Sequence, residues 1–173
     1  ARGGKKVFLA EAHSCLGGMG TAGMVPAFME FGDGETFLAA GVGRELLDRL
    51  QQADGTWPNP VPDNGRWACG IRFEALKRVY DEMLTEAGVD FTFHTSLIAV
   101  EAAGGAVSAA VCAAKSGLFA VRAKMYVDGT GDGDLAAGAG APFEKGDERG
   151  RMMPGTLCSL WANVDLEARK GHD

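Results

Sequence analysis

Three stretches of this sequence combine acids and glycines at spacings that suit ligand chemistry. The first ends at Glu11, which closes the mostly apolar run KKVFLAE from Lys5 to Glu11. In a dinucleotide-binding βαβ unit, the acid that ends the second strand accepts hydrogen bonds from a ribose. Such an acid follows its glycine fingerprint by about 20 residues, so a matching GxGxxG is expected upstream of residue 1. Taken alone, Glu11 also fits an acid that merely ends a strand at the surface. The second stretch, CLGGMGTAGMVP, carries Gly17, Gly18, Gly20 and Gly23 with Thr21 among them. Backbone without side chains can pack against a flat ring. A mobile surface loop is the competing reading, opposed by the apolar company of Met19, Met24, Val25 and Phe28. The third is Gly129-Thr130-Gly131-Asp132-Gly133-Asp134, between a predicted strand and a predicted helix. Amides at a helix start favour a phosphate or pyrophosphate, and short acids accept hydrogen bonds from ligand hydroxyls. A polar turn capped by Asp134 is the plainer alternative.

A calcium loop is the sharp competitor for the third stretch, and it fails. Counted from Asp128, the position that needs a bidentate glutamate is Ala139, and the third position is Thr130. Cys15, Cys69, Cys112 and Cys158 are widely spaced, without CxxC or a nearby histidine pair, so no metal site is predicted. They read as small core residues in a reducing compartment, and the cytoplasm is the expected location. His13, His94 and His172 show no arrangement that marks an acid or base, and no catalytic residue is assigned.

The elements that must position these residues follow from periodicity. Lys5 to Glu11 suits a buried parallel strand. Val42 to Ala53 reads as a helix with Leu46, Leu47 and Leu50 on one face. Asp54 to Cys69, with three prolines and two tryptophans, reads as a long irregular loop. Phe73 to Ala87 is the clearest helix, with Glu74 placed to pair with Arg78 and Gly88 as its cap. Val89 to His94 alternates as a strand does. Leu97–Ala102, Ala106–Ala113 and Leu118–Val127 form a meander, turning at Gly104-Gly105 and Lys115-Ser116-Gly117. Met125 to Asp128 is expected to be a second buried parallel strand, and Leu135 to Ala139 a short helix. The pattern predicts an α/β fold, mostly parallel, with an inserted antiparallel meander.

The stretches KKVFLAEAHSCLGGMGTAGMVP, FEALKRVYDEMLTEAGVDFTFHT and YVDGTGDGDLAAGAGAP, in this order, resemble the FAD-dependent oxidoreductases of the glutathione-reductase and fumarate-reductase type. Nearest is the branch whose second motif reads D-A-T-G-D-G-D; Gly129 stands where that branch often has alanine. The resemblance covers roughly residues 3–165. It implies a Rossmann-like FAD-binding domain, here lacking its first strand and GxGxxG loop. It also implies that Glu11 binds the adenosine ribose, and that Gly17, Gly18, Thr21 and Gly23 lie along the pyrophosphate and ribityl side of the flavin. By the same resemblance Leu97 offers backbone groups to adenine, and Thr130, Gly131, Asp132, Gly133 and Asp134 contact FAD. Cys15 has no second cysteine spaced after it, which argues against thiol-relay chemistry.

The domain division expected is a partial FAD-binding domain over 1–153 and the start of a truncated substrate domain over 154–173, the piece alone being inactive. The function expected is hydride or electron transfer between a small-molecule substrate and FAD. A nicotinamide dehydrogenase and a non-catalytic α/β module remain as alternatives. A net charge of −6 argues against a nucleic-acid surface, and no apolar run is long enough to span a membrane. Uncovered sheet edges are expected to favour association between copies.

Overall fold

The helices follow from where their apolar residues recur. In the computed structural model, which describes residues 1–165 and 167, α1 spans Val42–Gln52 and α2 spans Phe73–Glu86. Leu46, Leu47 and Leu50 of α1 and Ala75, Leu76, Val79 and Met83 of α2 are buried. Leu46 and Leu50 join Ile71 and the α2 residues in one core cluster, with Phe28 and Tyr80 packed against it. The end of α2 is closed by two bonds: the Gly88 N–H donates to the Thr85 carbonyl (3.0 Å) and the Val89 N–H to that of Leu84 (3.0 Å). That is the double closure of a Schellman motif. Glu74 pairs with Lys77 (2.6 Å), not with Arg78 as its four-residue spacing suggested. The three-residue neighbour is equally reachable on a helix surface.

β1 (Phe8–Ala10) pairs in parallel with β5 (Asp90–Thr92), Leu9 lying opposite Phe91. The strand after α2 thus returns beside β1, and the helix crosses between two parallel strands. The predicted meander is present as β6 (Ser96–Ala103), β7 (Ala106–Ala114) and β8 (Gly117–Val121), all antiparallel. Its first turn is the pair Gly104-Gly105, both with positive φ, as a two-residue hairpin turn needs. Phe8 meets Phe119 of β8 edge to face, with ring centroids 6.5 Å apart. Together these elements are an α/β fold with a parallel pair and an antiparallel meander.

Two sequence expectations differ from the structure. Residues 54–69 are not wholly irregular: β3 (Thr56–Trp57) and β2 (Ala27–Phe28) flank β4 (Cys69–Ile71) in a second antiparallel sheet. Below it Phe31, Leu47, Val61 and Cys69 form a second core cluster, joined by Phe37 and Trp67. Strands of two and three residues carry too little alternation to be seen among prolines. The second difference is Met125–Asp128, which forms no strand. Met125 is 82% and Val127 89% exposed, and the outer edge of β1 carries no strand among the described residues. The run therefore has no parallel neighbour to bury it. Tyr126 ties it to the meander instead: its hydroxyl accepts the Ala123 N–H (3.0 Å) and lies 3.1 Å from the Ser108 carbonyl and 3.2 Å from that of Val121.

Cys15, Cys69 and Cys112 are buried free thiols, consistent with core residues. No helix among the described residues is long and apolar enough to cross a membrane. Residues 141–165 contain no helix or strand. His172 and most of the segment after residue 165 lie outside the described residues.

Candidate functional site

Glu11 sits where β1 ends. Its N–H donates to the Thr92 carbonyl of β5 (2.9 Å), and its own carbonyl accepts the Thr95 N–H (2.9 Å). The backbone is thus held on both sides at the carboxyl end of a parallel pair. Open α/β sheets bind ligands at that end. The half-buried side chain turns back on the chain, and Oε1 accepts the His13 N–H (2.8 Å). Oε2 has no protein partner among the described residues.

The chain then drops Cys15 and Leu16 into the core and enters the first glycine turn. Gly17 has φ 102°, and a Cβ there would stand 2.7 Å from Tyr80 Cε2 and 2.9 Å from Thr21 Cγ2. Only a glycine fits between this turn and α2. Gly18–Gly20 form a single 3-10 turn, and Gly20 abuts Leu76. Thr21 is 1% exposed, and its hydroxyl donates to the Leu16 carbonyl (2.5 Å). Thr21 holds the turn together from inside and presents nothing to a ligand in this arrangement. Gly18 and Gly23 are exposed, and the amides of Gly17, Gly18 and Met19 have no hydrogen-bond partner among the described residues.

The second glycine turn is organised by Asp128, to which the sequence assigned no role at the site. Asp128 Oδ1 accepts both the N–H (3.0 Å) and the hydroxyl (2.7 Å) of Thr130, and Oδ2 accepts the Ala136 N–H (2.9 Å). These bonds, the Thr130 hydroxyl foremost, hold the Asp128 carboxyl below the usual aspartate range. Thr130 Oγ1 in turn accepts the Asp134 N–H (2.9 Å). The first turn of α3 (Asp134–Gly138) is therefore capped from within by Asp128 and Thr130 rather than by Asp134. What stays open is the rim of the turn. Asp132 and Asp134 are exposed, and the amides of Gly131, Asp132 and Gly133 have no partner among the described residues.

The meander carries both parts. Leu97 pairs with Cys112 at the start of β6, two residues after the Thr95 that holds Glu11. Val100, further along β6, seats α3 so closely that a Cβ at Gly138 would lie 2.8 Å from Val100 Cγ2. Glu11, Leu97 and the second turn thus hang on one strand, whereas the first turn is carried by α2. No hydrogen bond joins the two turns directly among the described residues. A groove elsewhere, between α1 and α2, is lined by residues that include Arg44, Glu45, Asp48, Arg49 and Glu82. It contains none of the predicted residues, and Arg49 there is occupied by Glu45 and Glu86.

Compared with known families, residues 1–172 match the model for FAD dependent oxidoreductases. The chain belongs to that family. Among solved structures it is similar to THI4 of Thermovibrio ammonificans, with TM-score 0.50 and 16% identity over 79% of this chain and 53% of that one. At this identity the likeness supports the fold alone, a Rossmann-like α/β architecture. The chain spans about half the length of that structure. The comparison with curated proteins gave no match. FAD is the cofactor of the family, and the chemical groups found here suit it. They are a carboxylate with one open oxygen at the end of a parallel strand, and two glycine turns whose exposed amides lack partners.

Proposed function

We propose that this chain binds FAD through Glu11, the two glycine turns and the start of β6, and serves the transfer of hydride or electrons between a small-molecule substrate and the flavin. The observation that carries the reading is the placement of Glu11. The backbone of this acid is fixed by both β5 and Thr95, leaving Oε2 to accept a ribose hydroxyl. The unpaired amides of Gly17, Gly18 and Met19 offer donors to the pyrophosphate, and those of Gly131 to Gly133 offer donors to ligand oxygens. Asp132 and Asp134 offer acceptors beside them, and Leu97 offers its backbone to adenine. Thr21 contributes by keeping the first turn in shape. When bound, FAD supplies the redox chemistry, and the protein supplies binding and orientation. The buried free thiols support a reducing compartment, the cytoplasm. Association between copies through open strand edges belongs to the same proposal.

Titration of the chain with FAD, followed by flavin fluorescence, tests the reading. Saturable binding is expected, weakened about tenfold or more in Glu11→Gln, since hydrogen bonds to a charged acceptor contribute roughly 1.5–3 kcal/mol. A chain that binds NADH but ignores FAD would move the assignment to a nicotinamide dehydrogenase. A chain that binds neither would support a non-catalytic module.

A further inference from the structure

We infer that Thr95 is a positioning residue for the adenosine half of the site: its buried hydroxyl closes the turn 92–95, and that turn holds Glu11 and Leu97 in place. The inference rests on the FAD reading proposed above. Thr95 is 1% exposed. Its hydroxyl donates to the Phe93 carbonyl (3.0 Å) and lies 3.3 Å from the Thr92 hydroxyl. With the Thr95 proton committed to Phe93, Thr92 is left to donate to Thr95 Oγ1. A buried, satisfied pair of this kind fixes one arrangement of the turn. Thr95 touches no ligand and acts through its neighbours.

What the turn grips is Glu11. The Thr92 carbonyl accepts the Glu11 N–H (2.9 Å), and the Thr95 N–H donates to the Glu11 carbonyl (2.9 Å). Between them the His94 N–H donates to the His13 carbonyl (3.1 Å), and the His13 N–H is the group that holds Glu11 Oε1 (2.8 Å). The backbone of the acid and the direction of its carboxylate therefore both depend on this turn. His94 makes its bond at φ 50°, a left-handed conformation that a non-glycine residue keeps where the surrounding bonds enforce it. The Thr95 hydroxyl supplies one such bond, running from the residue after His94 to the residue before it. Two residues further on, Leu97 pairs with Cys112 in β6, so the same turn sets where the backbone offered to adenine begins. A bond from a ribose hydroxyl to Oε2 weakens steeply with misalignment.

FAD titration of variants that differ in this hydroxyl tests the inference. Thr95→Val keeps the branched shape and removes the hydroxyl, and it should bind FAD about tenfold more weakly than wild type. Thr95→Ser keeps the hydroxyl and should stay within about threefold of wild type. Leu47→Ala serves as the structural control, because Leu47 is equally buried but belongs to the other core cluster. It should lower the melting temperature and leave FAD affinity unchanged. Should Thr95→Val not fold, Thr92→Val carries the comparison, with a smaller loss expected because the bond from Thr95 to Phe93 remains. A wild type that does not bind FAD overturns the FAD reading and this inference together. Where wild type binds, unchanged affinity in the folded valine variant overturns this inference alone. So does a Thr95→Ser as weak as Thr95→Val, or a Leu47→Ala that loses as much affinity.

Discussion

In the turn after β1 the glycines are placed by packing, and in the turn before α3 the chain is placed by a carboxylate. Gly17 backs onto Tyr80 and Gly20 onto Leu76, while the Thr21 hydroxyl is sealed inside on the Leu16 carbonyl. At the second turn no neighbour stands within 4 Å of where a Cβ would go at Gly131 or Gly133. Asp128 instead gathers Thr130 and Ala136 around its two oxygens. Similar composition thus yields two devices. One depends on volume and dispersion, the other on charge-assisted hydrogen bonds. The first is a rigid wall set against a helix. The second is a rim whose shape depends on one ionised group.

The largest expected break in that contrast comes from the wall. Leu76 is fully buried in α2 and touches the turn at Gly20. Leu76→Ala should lower stability by about 2–5 kcal/mol, the range for a leucine cavity in a packed core. Gly17→Ala should cost about 1–3 kcal/mol, because it adds a side chain at φ 102° and drives it into Tyr80 and Thr21. Urea unfolding measures both. If neither variant shifts the midpoint, packing is not what holds the first turn.

The helices were legible because burial imposed a period on them, and the meander because glycine turns punctuate it. Leu76, Val79 and Met83 repeat at the spacing of one helix face, and Gly104-Gly105 and Gly117 mark the turns. The sheet around β4 was not legible. Thr56, Trp57, Cys69 and Ile71 become strand residues only by meeting one another across a proline-rich loop. Met125–Asp128 forms no strand for the complementary reason: an apolar run specifies a buried strand only beside a neighbouring strand, and none lies beside it among the described residues. At the site, glycine and acid spacing marked both turns and Glu11. Sequence could not show that Thr21 faces inward, or that Asp128 rather than Asp134 caps α3. Those roles depend on which groups meet after folding. The Asp128-Gly-Thr130 spacing, with an acceptor two residues before a hydroxyl, was the available signal for the second.

Charge offers a sharper separation of the two turns. Asp128 is more acidic in the folded chain than in the unfolded one. Its stabilisation is therefore complete above the ordinary aspartate range, and it fades as the pH falls through the lowered folded value. Asp128→Ala should cost about 1 kcal/mol at neutral pH, as the loss of a helix cap does. The gap between wild type and variant should close on acidification, read by urea unfolding across a pH series. Gly17→Ala should keep its deficit over the same range. An Asp128→Ala deficit that persists at the lowest pH would mean that shape, not charge, organises the second turn as well.

The smallest expected effect isolates the packing itself. Gly131 has φ 91°, close to the 102° of Gly17, but open space lies where its Cβ would go. Alanine at either position meets similar backbone strain, on the order of 1 kcal/mol. The strain largely cancels in the difference between the two variants, leaving the collision with Tyr80 and Thr21. Gly131→Ala should therefore lose about 1 kcal/mol, and Gly17→Ala measurably more. Equal losses would show that Tyr80 yields to the added methyl, and the wall would then be soft enough to reshape around a ligand.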